Sequence, residues 1–339
     1  MSPPQPTATA VEEGGATTFP DIHQDILSTH ILTRLDGPSL ASASSTSSQL
    51  HALSSHHHLW TTICHSTFPS TTTSPRLLHL LSSFPGGPRS FFSLSFPLLL
   101  PNFSPTTTSP PPAELISAVD VHYKNNLIFT KVQETETTTS WFMCSPFRID
   151  LLDTKDVIST TIRHRDDDGA WTSLSDEVTL SWILIDPVGN QAANLSTHKA
   201  VSVQRHWLSG EVQVRFGSVL AGGNRRGPTS ELVHCGIVVT CGESEGGELQ
   251  VREVSLQVED MDGMHLTGKD SLVILHRALE GKRGHMRREE EGRRRYREYM
   301  EMKRERRERK LKTEWTLDML CVAFGVTIFS AFWLFLLCT

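Results

Sequence analysis

Five histidines crowd one short stretch near the N-terminus: His51, His56, His57, His58 and His65. Imidazoles hold zinc when they stand at ligand spacing with cysteine or carboxylate partners. Consecutive histidines point in different directions along a loop, and no Cys or acidic pattern joins these, so the run reads as a solvated loop without a metal. Asp166-Asp167-Asp168, following Arg163-His164-Arg165, has the residue types of an acid–base or metal site. A hydrophilic run that ends in Gly169 reads as a loop instead. Neither a G-x-S-x-G elbow nor a Walker loop occurs, and no cysteine sits in a nucleophilic setting. Gly222-Gly223 and Gly227, around Asn224-Arg225-Arg226, resemble a hairpin tip rather than a phosphate cradle. Trp171, Trp182 and Trp207 read as core or rim residues. The expectation is a non-catalytic protein with no catalytic, metal or cofactor site.

The six cysteines, Cys64, Cys144, Cys235, Cys241, Cys321 and Cys338, contain no C-x-x-C pair and are expected to be reduced, mostly buried thiols. The opening MSPPQPTATAVEEGG lacks the positive start and apolar core of a secretory leader. Asn194-Leu195-Ser196 fits a glycosylation sequon, and without secretion it reads as a surface turn.

What positions any function is the charge and apolar patterning of the 339 residues. Net charge is −6, but residues 282–312 hold 15 Lys/Arg against 7 Glu, leaving 17 basic and 31 acidic residues elsewhere. The protein is bipolar, and its basic end must face something other than its acidic body. The interleaved glutamates cancel much of the basic field, which argues against a nucleic-acid partner.

Met319–Cys338, MLCVAFGVTIFSAFWLFLLC, is an uncharged run of 20 residues. At about 1.5 Å per residue a helix of that length matches the roughly 30 Å hydrocarbon layer. Residues 315–339 are therefore expected to form a transmembrane helix in contact with lipid, with Trp315 at the interface. The basic flank places the attached body in the cytosol, as a single-pass tail anchor. The pairs Glu290/Arg294, Glu291/Arg295, Glu305/Arg309 and Glu308/Lys312 predict a charged juxtamembrane helix over 281–314, a solvated stalk attracted to anionic headgroups.

At the other end, residues 1–18 show no apolar period and read as a disordered lead. Leu27, Ile31 and Leu35 recur at i, i+4 and i+8, with Ile26 and Leu32 widening the stripe. Asp36-Gly37-Pro38 breaks that helix and opens a second, carrying Leu40. A third carries Leu50 and Leu53, and Leu59, Trp60 and Ile63 follow the histidines. Three short helices bury too little surface to be robust alone, so this unit wants a partner.

Those residues carry a resemblance. Asp25-Ile26-Leu27, Ile31-Leu32-x-x-Leu35-Asp36-Gly37-Pro38-Ser39-Leu40, Ser48-x-Leu50-x-x-Leu53 and Leu59-Trp60-x-x-Ile63-Cys64 together resemble an F-box. The segments CHSTFPS, SSFPGGPRSFFSLSFP, SWILIDP and VSVQRHWLSGEVQVRFGSVLAG are similar to one plant F-box subfamily. The usual Leu-Pro opening is absent in register, with His23-Gln24 in its place and Phe19-Pro20 four residues earlier. Leu50 replaces the aromatic residue common in the third helix. The resemblance implies that Leu27, Ile31, Leu35, Pro38, Leu40, Leu50, Leu53, Leu59 and Trp60 form or support an edge that docks on a Skp-type adaptor, which joins a cullin scaffold carrying the ubiquitin-transfer machinery.

Between the two ends, residues 66–112 are crowded with Ser, Thr and Pro and read as a partly ordered connector in which Phe91, Phe92, Phe96 and Leu98–Leu100 dock somewhere. From Pro112 on, ISAVDVHY, NLIFTKVQ, WFMCSPFRIDLL, VTLSWILID, AVSVQRHW, EVQVRFGSVL, LVHCGIVVTC, LQVREVSLQVED and SLVILHRAL read as strands broken by turn residues. Together they predict an antiparallel β-sandwich-like body over 113–280, faintly similar to the phloem lectin-like domain of some plant F-box proteins. The fold class is α+β, in the order F-box-like unit (19–65), connector, β body, charged helix and transmembrane helix. The function implied is that of a substrate receptor in a Skp-cullin-F-box (SCF) ubiquitin ligase, with an unknown protein target. The alternative is a tail-anchored lectin-like binding protein that recruits no ligase.

Overall fold

The computed structural model describes residues 23–101, 110–153, 155–163, 168–222, 232–281, 283–284 and 289–338. The 1–18 lead, the Phe19-Pro20 pair, Asp166-Asp167 and the glycine-rich tip after Gly222 lie outside the described residues. The chain divides into two compact units, Met1–Ile63 and Cys64–Thr339.

The first unit holds α1 (Gln24–Ile26), a π-helical turn (Leu27–Ile31), a 3-10 turn (Leu32–Arg34), α2 (Gly37–Ala43), α3 (Ser48–Ser54) and the start of α4 (His57–Thr67). The second continues with α5 (Ser70–Thr73), α6 (Pro75–Ser83), α7 (Gly87–Ser95), β1 (Glu114–Tyr123), β2 (Asn126–Glu136), α8 (Ser140–Cys144), β3 (Arg148–Asp150), β4 (Ile158–Arg163), α9 (Asp168–Glu177), β5 (Val178–Asp186), β6 (Gln191–Asn194), β7 (His198–Lys199), β8 (Ser202–Arg205), β9 (Val212–Ala221), β10 (Leu232–Glu243) and β11 (Glu248–Glu259). Two helices close it, α10 (Gly268–Glu280) and α11 (Glu289–Cys338).

The strands form two antiparallel sheets. One runs β2-β1-β5-β6 with β7 also on β5, and the other runs β3-β11-β10-β9-β8 with β4 also on β11. The β1–β2 hairpin closes on Lys124-Asn125, both at positive φ, as a two-residue primed turn requires. Strand alternation sends Val119, Val121, Leu180 and Trp182 of the first sheet inward to meet Phe216, Ile237, Val239, Val254 and Leu256 of the second in one core. The fold is α+β, as expected.

One expected strand is a helix. SLVILHRAL lies in α10, which sends Leu272, Leu275 and Leu279 into the same core. Gly268 sits so close to the Phe142 carbonyl that a Cβ there would stand 2.0 Å from its oxygen, so the α10 entry admits no side chain. WFMCSPFRIDLL likewise divides into helix α8 and strand β3. At the far end of α10, the half-buried guanidinium of Arg283 donates to the carbonyls of Ala278, Leu279 and Gly281, and also to those of Leu94 and Ala192. Burial lowers its pKa to about 10, and it remains a cation at a helix C-terminus, where the dipole favours one.

Where the expectation had a partly ordered connector, residues 70–95 of the Ser/Thr/Pro-rich stretch form three helices. Pro75 and Pro88 stand in the first turns of α6 and α7, and Leu77, Leu81, Phe84, Phe91 and Phe92 are buried. Helix α5 lies on β1 and β2 and is fixed by Asp120, which points out of the first sheet. The Asp120 carboxylate accepts from the Ser70 amide (2.8 Å), the Ser70 hydroxyl (2.6 Å) and the Thr130 hydroxyl (2.8 Å).

Desolvation raises the Asp120 pKa, and those hydrogen bonds only partly oppose it. A carboxyl whose folded pKa lies above its unfolded one favours folding most in the protonated form. Its contribution is complete below the ordinary Asp range and falls as pH rises through the elevated value. Asp120→Ala leaves the two buried Ser70 donors unpaired, each costing about 1–3 kcal/mol, and the half-buried Thr130 hydroxyl without its acceptor. The expected loss is therefore about 3 kcal/mol or more in denaturant titration of the full chain, and Asp120→Asn, which keeps an acceptor for the Ser70 amide, should lose less.

The sequon is misplaced by the sequence reading, whereas Trp182 and Trp207 stand as core and rim residues. Asn194 and Ser196 are buried, so the sequon is no surface turn. Trp182 is in the core, whereas Trp207 projects from the β8–β9 turn at 87% exposure. The side chain of Trp171 lies outside the described residues. Cys64, Cys235 and Cys241 are buried thiols with pKa values pushed up to about 12 by desolvation, while Cys144, Cys321 and Cys338 are exposed; all six are free.

Candidate functional site

The helices of the first unit are started by their own side chains. Asp36 accepts from the Ser39 amide (2.9 Å) with Pro38 in the first turn of α2, and Ser47 accepts from the Leu50 amide (3.2 Å) at the start of α3. From α4, the Trp60 indole N–H donates to the Ser54 carbonyl (2.7 Å), satisfying an acceptor that the end of α3 leaves open.

The single stripe expected of Leu27, Ile31 and Leu35 does not form. A π turn spends one extra residue, and the Leu32 amide reaches back five positions to the Leu27 carbonyl. Residues five apart therefore share a face. Leu27 and Leu32 point inward and are buried, while Ile26 and Ile31 point outward at 49% and 39% exposure. Of the nine residues singled out in the sequence, Leu27, Leu40, Leu53, Leu59 and Trp60 are buried, Leu35, Pro38 and Leu50 are half-buried, and Ile31 is exposed. Sequence periodicity had put Ile26 in the wider stripe without marking it as the most exposed apolar residue there.

The histidine run is not a loop throughout, since His57 and His58 form the first turn of α4. The His56 and His58 rings lie 5.9 Å apart edge to face. Among the described residues no group of three His, Cys, Asp or Glu side chains converges as a metal site requires.

The basic C-terminal segment is half docked rather than a solvated stalk. Along α11, Gly292, Tyr299, Lys303, Arg306 and Lys310 recur at helical spacing on the face turned to the β body. Tyr299 is fully buried beside Val219 and Met261 and donates its hydroxyl to the Asp260 carbonyl (3.0 Å). Lys303 meets Glu259 (3.0 Å), while Arg306 (3.1 Å) and Lys310 (2.7 Å) both meet Asp262. Hydrogen bonding from Lys310 holds the Asp262 carboxyl below its usual range. Near the helix start, Arg293 reaches Asp176 and the Ala200 carbonyl. Two of the expected surface pairs form, Glu291/Arg295 and Glu305/Arg309, while Arg294 turns to Glu291 and Glu298, and Glu308 meets Arg304. Beyond Lys312 the same helix continues without a break through an apolar run whose side chains are exposed throughout.

The first unit thus presents an outward apolar pair, Ile26 and Ile31, on a small helical framework. Residues 25–66 match the F-box-like family model. Probable F-box protein At2g36090 of Arabidopsis thaliana is 48% identical over 308 residues, which span 90% of this chain and 89% of that protein. F-box protein At2g27310 of the same plant is 43% identical over 93% of this chain and 95% of its own length, and F-box protein At3g44326 is 44% identical over 88% and 84%. The chain belongs to the F-box protein family and is of the plant kind. No solved structure matches it.

Proposed function

We propose that this protein is the substrate-receptor subunit of an SCF-type ubiquitin ligase that works at a membrane surface. The F-box unit docks on a Skp-type adaptor, the adaptor joins a cullin scaffold, and the β body selects the target. Ubiquitin transfer then belongs to the partners. This subunit acts by proximity, raising the effective concentration of a target lysine near the ubiquitin donor.

The observation that carries the reading is the F-box-like segment at 25–66 with Ile26 and Ile31 turned outward at its edge. An apolar pair exposed on so small a unit suits burial by a second polypeptide, with Leu35, Pro38 and Leu50 beside it and Leu27, Leu40, Leu53, Leu59 and Trp60 holding the shape from within. The membrane part rests on the apolar half of α11, residues 315–338 with Thr339 beyond. That half is long enough to span, and its charged half is fixed to the body by Tyr299, Arg306 and Lys310. From Lys310 to Met319 the rise is about 13 Å. The body would therefore sit against the membrane surface with little freedom to swing away, and target choice would be confined to that surface.

The test is capture from phospholipid nanodiscs holding the full chain. A plant Skp-type adaptor and a cullin should be recovered together, and the chain should stay with the membrane fraction after alkaline carbonate extraction. Release by carbonate would overturn the anchor, and the absence of adaptor would favour a binding protein without ligase recruitment.

A further inference from the structure

The outer face of the first sheet carries a cleft of about 220 Å³, bounded by the ends of β1, β5 and β6 and by a cover that includes Phe68, Phe96 and Leu98. Sheet register builds its polar wall. His122 on β1 stands opposite Thr179 on β5, and Ser181, two residues further along the strand, shares the face of Thr179.

Ser181 is 7% exposed, and its Oγ has no hydrogen-bond partner among the described residues. A buried hydroxyl without a partner costs about 1–3 kcal/mol, and this one lines the cleft. Asn194 adds a second group. Its Oδ1 accepts from the Trp182 amide (3.2 Å) and the Ser196 amide (3.0 Å), which fixes the orientation of the side-chain amide and leaves its Nδ2 hydrogens for another acceptor. His122 is held neutral by desolvation and presents one donor and one acceptor.

Among the described residues no Lys, Arg, Asp or Glu lines this cleft. A phosphate or carboxylate would find no permanently charged donor among them, only the imidazoles of His122 and His198, and an ammonium no counter-charge. Uncharged donors and acceptors facing two phenyl rings suit a molecule with hydroxyls around its edge and C–H groups on its faces. The volume lies below the roughly 300–1,000 Å³ of drug-sized pockets, which limits the occupant to about one ring.

We propose that this cleft binds a single neutral pyranose ring, through the Ser181 and Thr179 hydroxyls, the Asn194 amide and His122, with Phe68 and Phe96 against the ring face. The ring is a free monosaccharide or the terminal residue of a glycan. This site does not depend on adaptor docking.

Saturation-transfer NMR on the full chain in phosphatidylcholine nanodiscs tests it, since glycoside detergents would themselves compete. The probes are glucose, galactose, mannose, N-acetylglucosamine and their methyl glycosides, with inorganic phosphate as the charged control. Transfer to at least one sugar is expected, with affinity falling at least tenfold in Ser181→Val, which fills the cleft, and in Thr179→Ala. Binding of methyl glycosides identifies a glycan end as the source, and binding of reducing sugars alone identifies a free sugar. Both variants should melt close to the parent. Should Ser181→Val fail to fold, Thr179→Ala still decides. The proposal is overturned if the folded parent transfers to no sugar, if phosphate binds instead, or if a folded variant binds as tightly as the parent.

Discussion

Trp60→Ala is expected to unfold the F-box unit, at a cost of about 3–5 kcal/mol. Trp60 is almost wholly buried, so truncation opens a void in the packing around it. It also removes the indole donor from the Ser54 carbonyl, leaving a buried acceptor at the end of α3 without its partner. A large core could relax around such a loss. A unit of some forty ordered residues has little stability in reserve, and losing its largest buried side chain removes most of it. Hydrogen exchange of the α2 and α3 amides checks this. They should exchange at rates near those of an unfolded chain, while amides of β10 and β11 stay protected.

Ile31→Asp is expected to do the opposite, leaving the fold intact and abolishing recruitment. The side chain is already 39% exposed, so a carboxylate there remains solvated in the free protein. In a complex the same carboxylate would be buried against an apolar surface with no partner charge, which is the costly case. A central apolar contact is worth about 2 kcal/mol or more at an interface, and each 1.4 kcal/mol is tenfold in affinity. Adaptor affinity should therefore drop at least about thirtyfold, with an unchanged melting temperature. The control is Leu127→Asp on β2, equally exposed at 43% but on the β body, where adaptor binding should not change.

Much of this was legible from residue type and spacing. LDGPSL followed by LW marks the helix break, the proline-led second helix and the tryptophan that closes the unit, because each residue has a local reason to be there. The outward edge was not legible. A π turn costs one residue of register and shifts Ile31 away from Leu27, and nothing in the apolar pattern announces it. SLVILHRAL reads as a strand because Val and Ile favour extended chain, yet a helix signal stood beside it. Thr267 accepts from the Asp270 amide (3.3 Å) and donates to the Asp270 carboxylate (2.7 Å), a reciprocal helix start visible as Thr-x-x-Asp.

The Ser/Thr-rich stretch misled by composition. Its few apolar residues stand at helical spacing, Leu77 with Leu81 and Phe92 with Phe96, and they are covered because α6 packs on α5 and α7, which in turn lie on β1, β2 and β6. Asp120 shows the limit more sharply. In ISAVDVHY it looks like an exposed acid on an alternating strand, and only the folded chain brings Ser70, fifty residues earlier, onto it. The docking of α11 was hidden for the same reason, since Lys303, Arg306 and Lys310 look solvated until Glu259 and Asp262 are placed opposite them.

The most direct measurement is photo-crosslinking from single positions in the full chain, held in nanodiscs with a plant Skp-type adaptor. A photoreactive residue at Ile31 should give a covalent adduct with the adaptor, and one at Val188, exposed on the β body, should give none. An adduct from Val188 with nothing from Ile31 would contradict the account, because the adaptor would then be held by a surface other than the outward edge of the F-box.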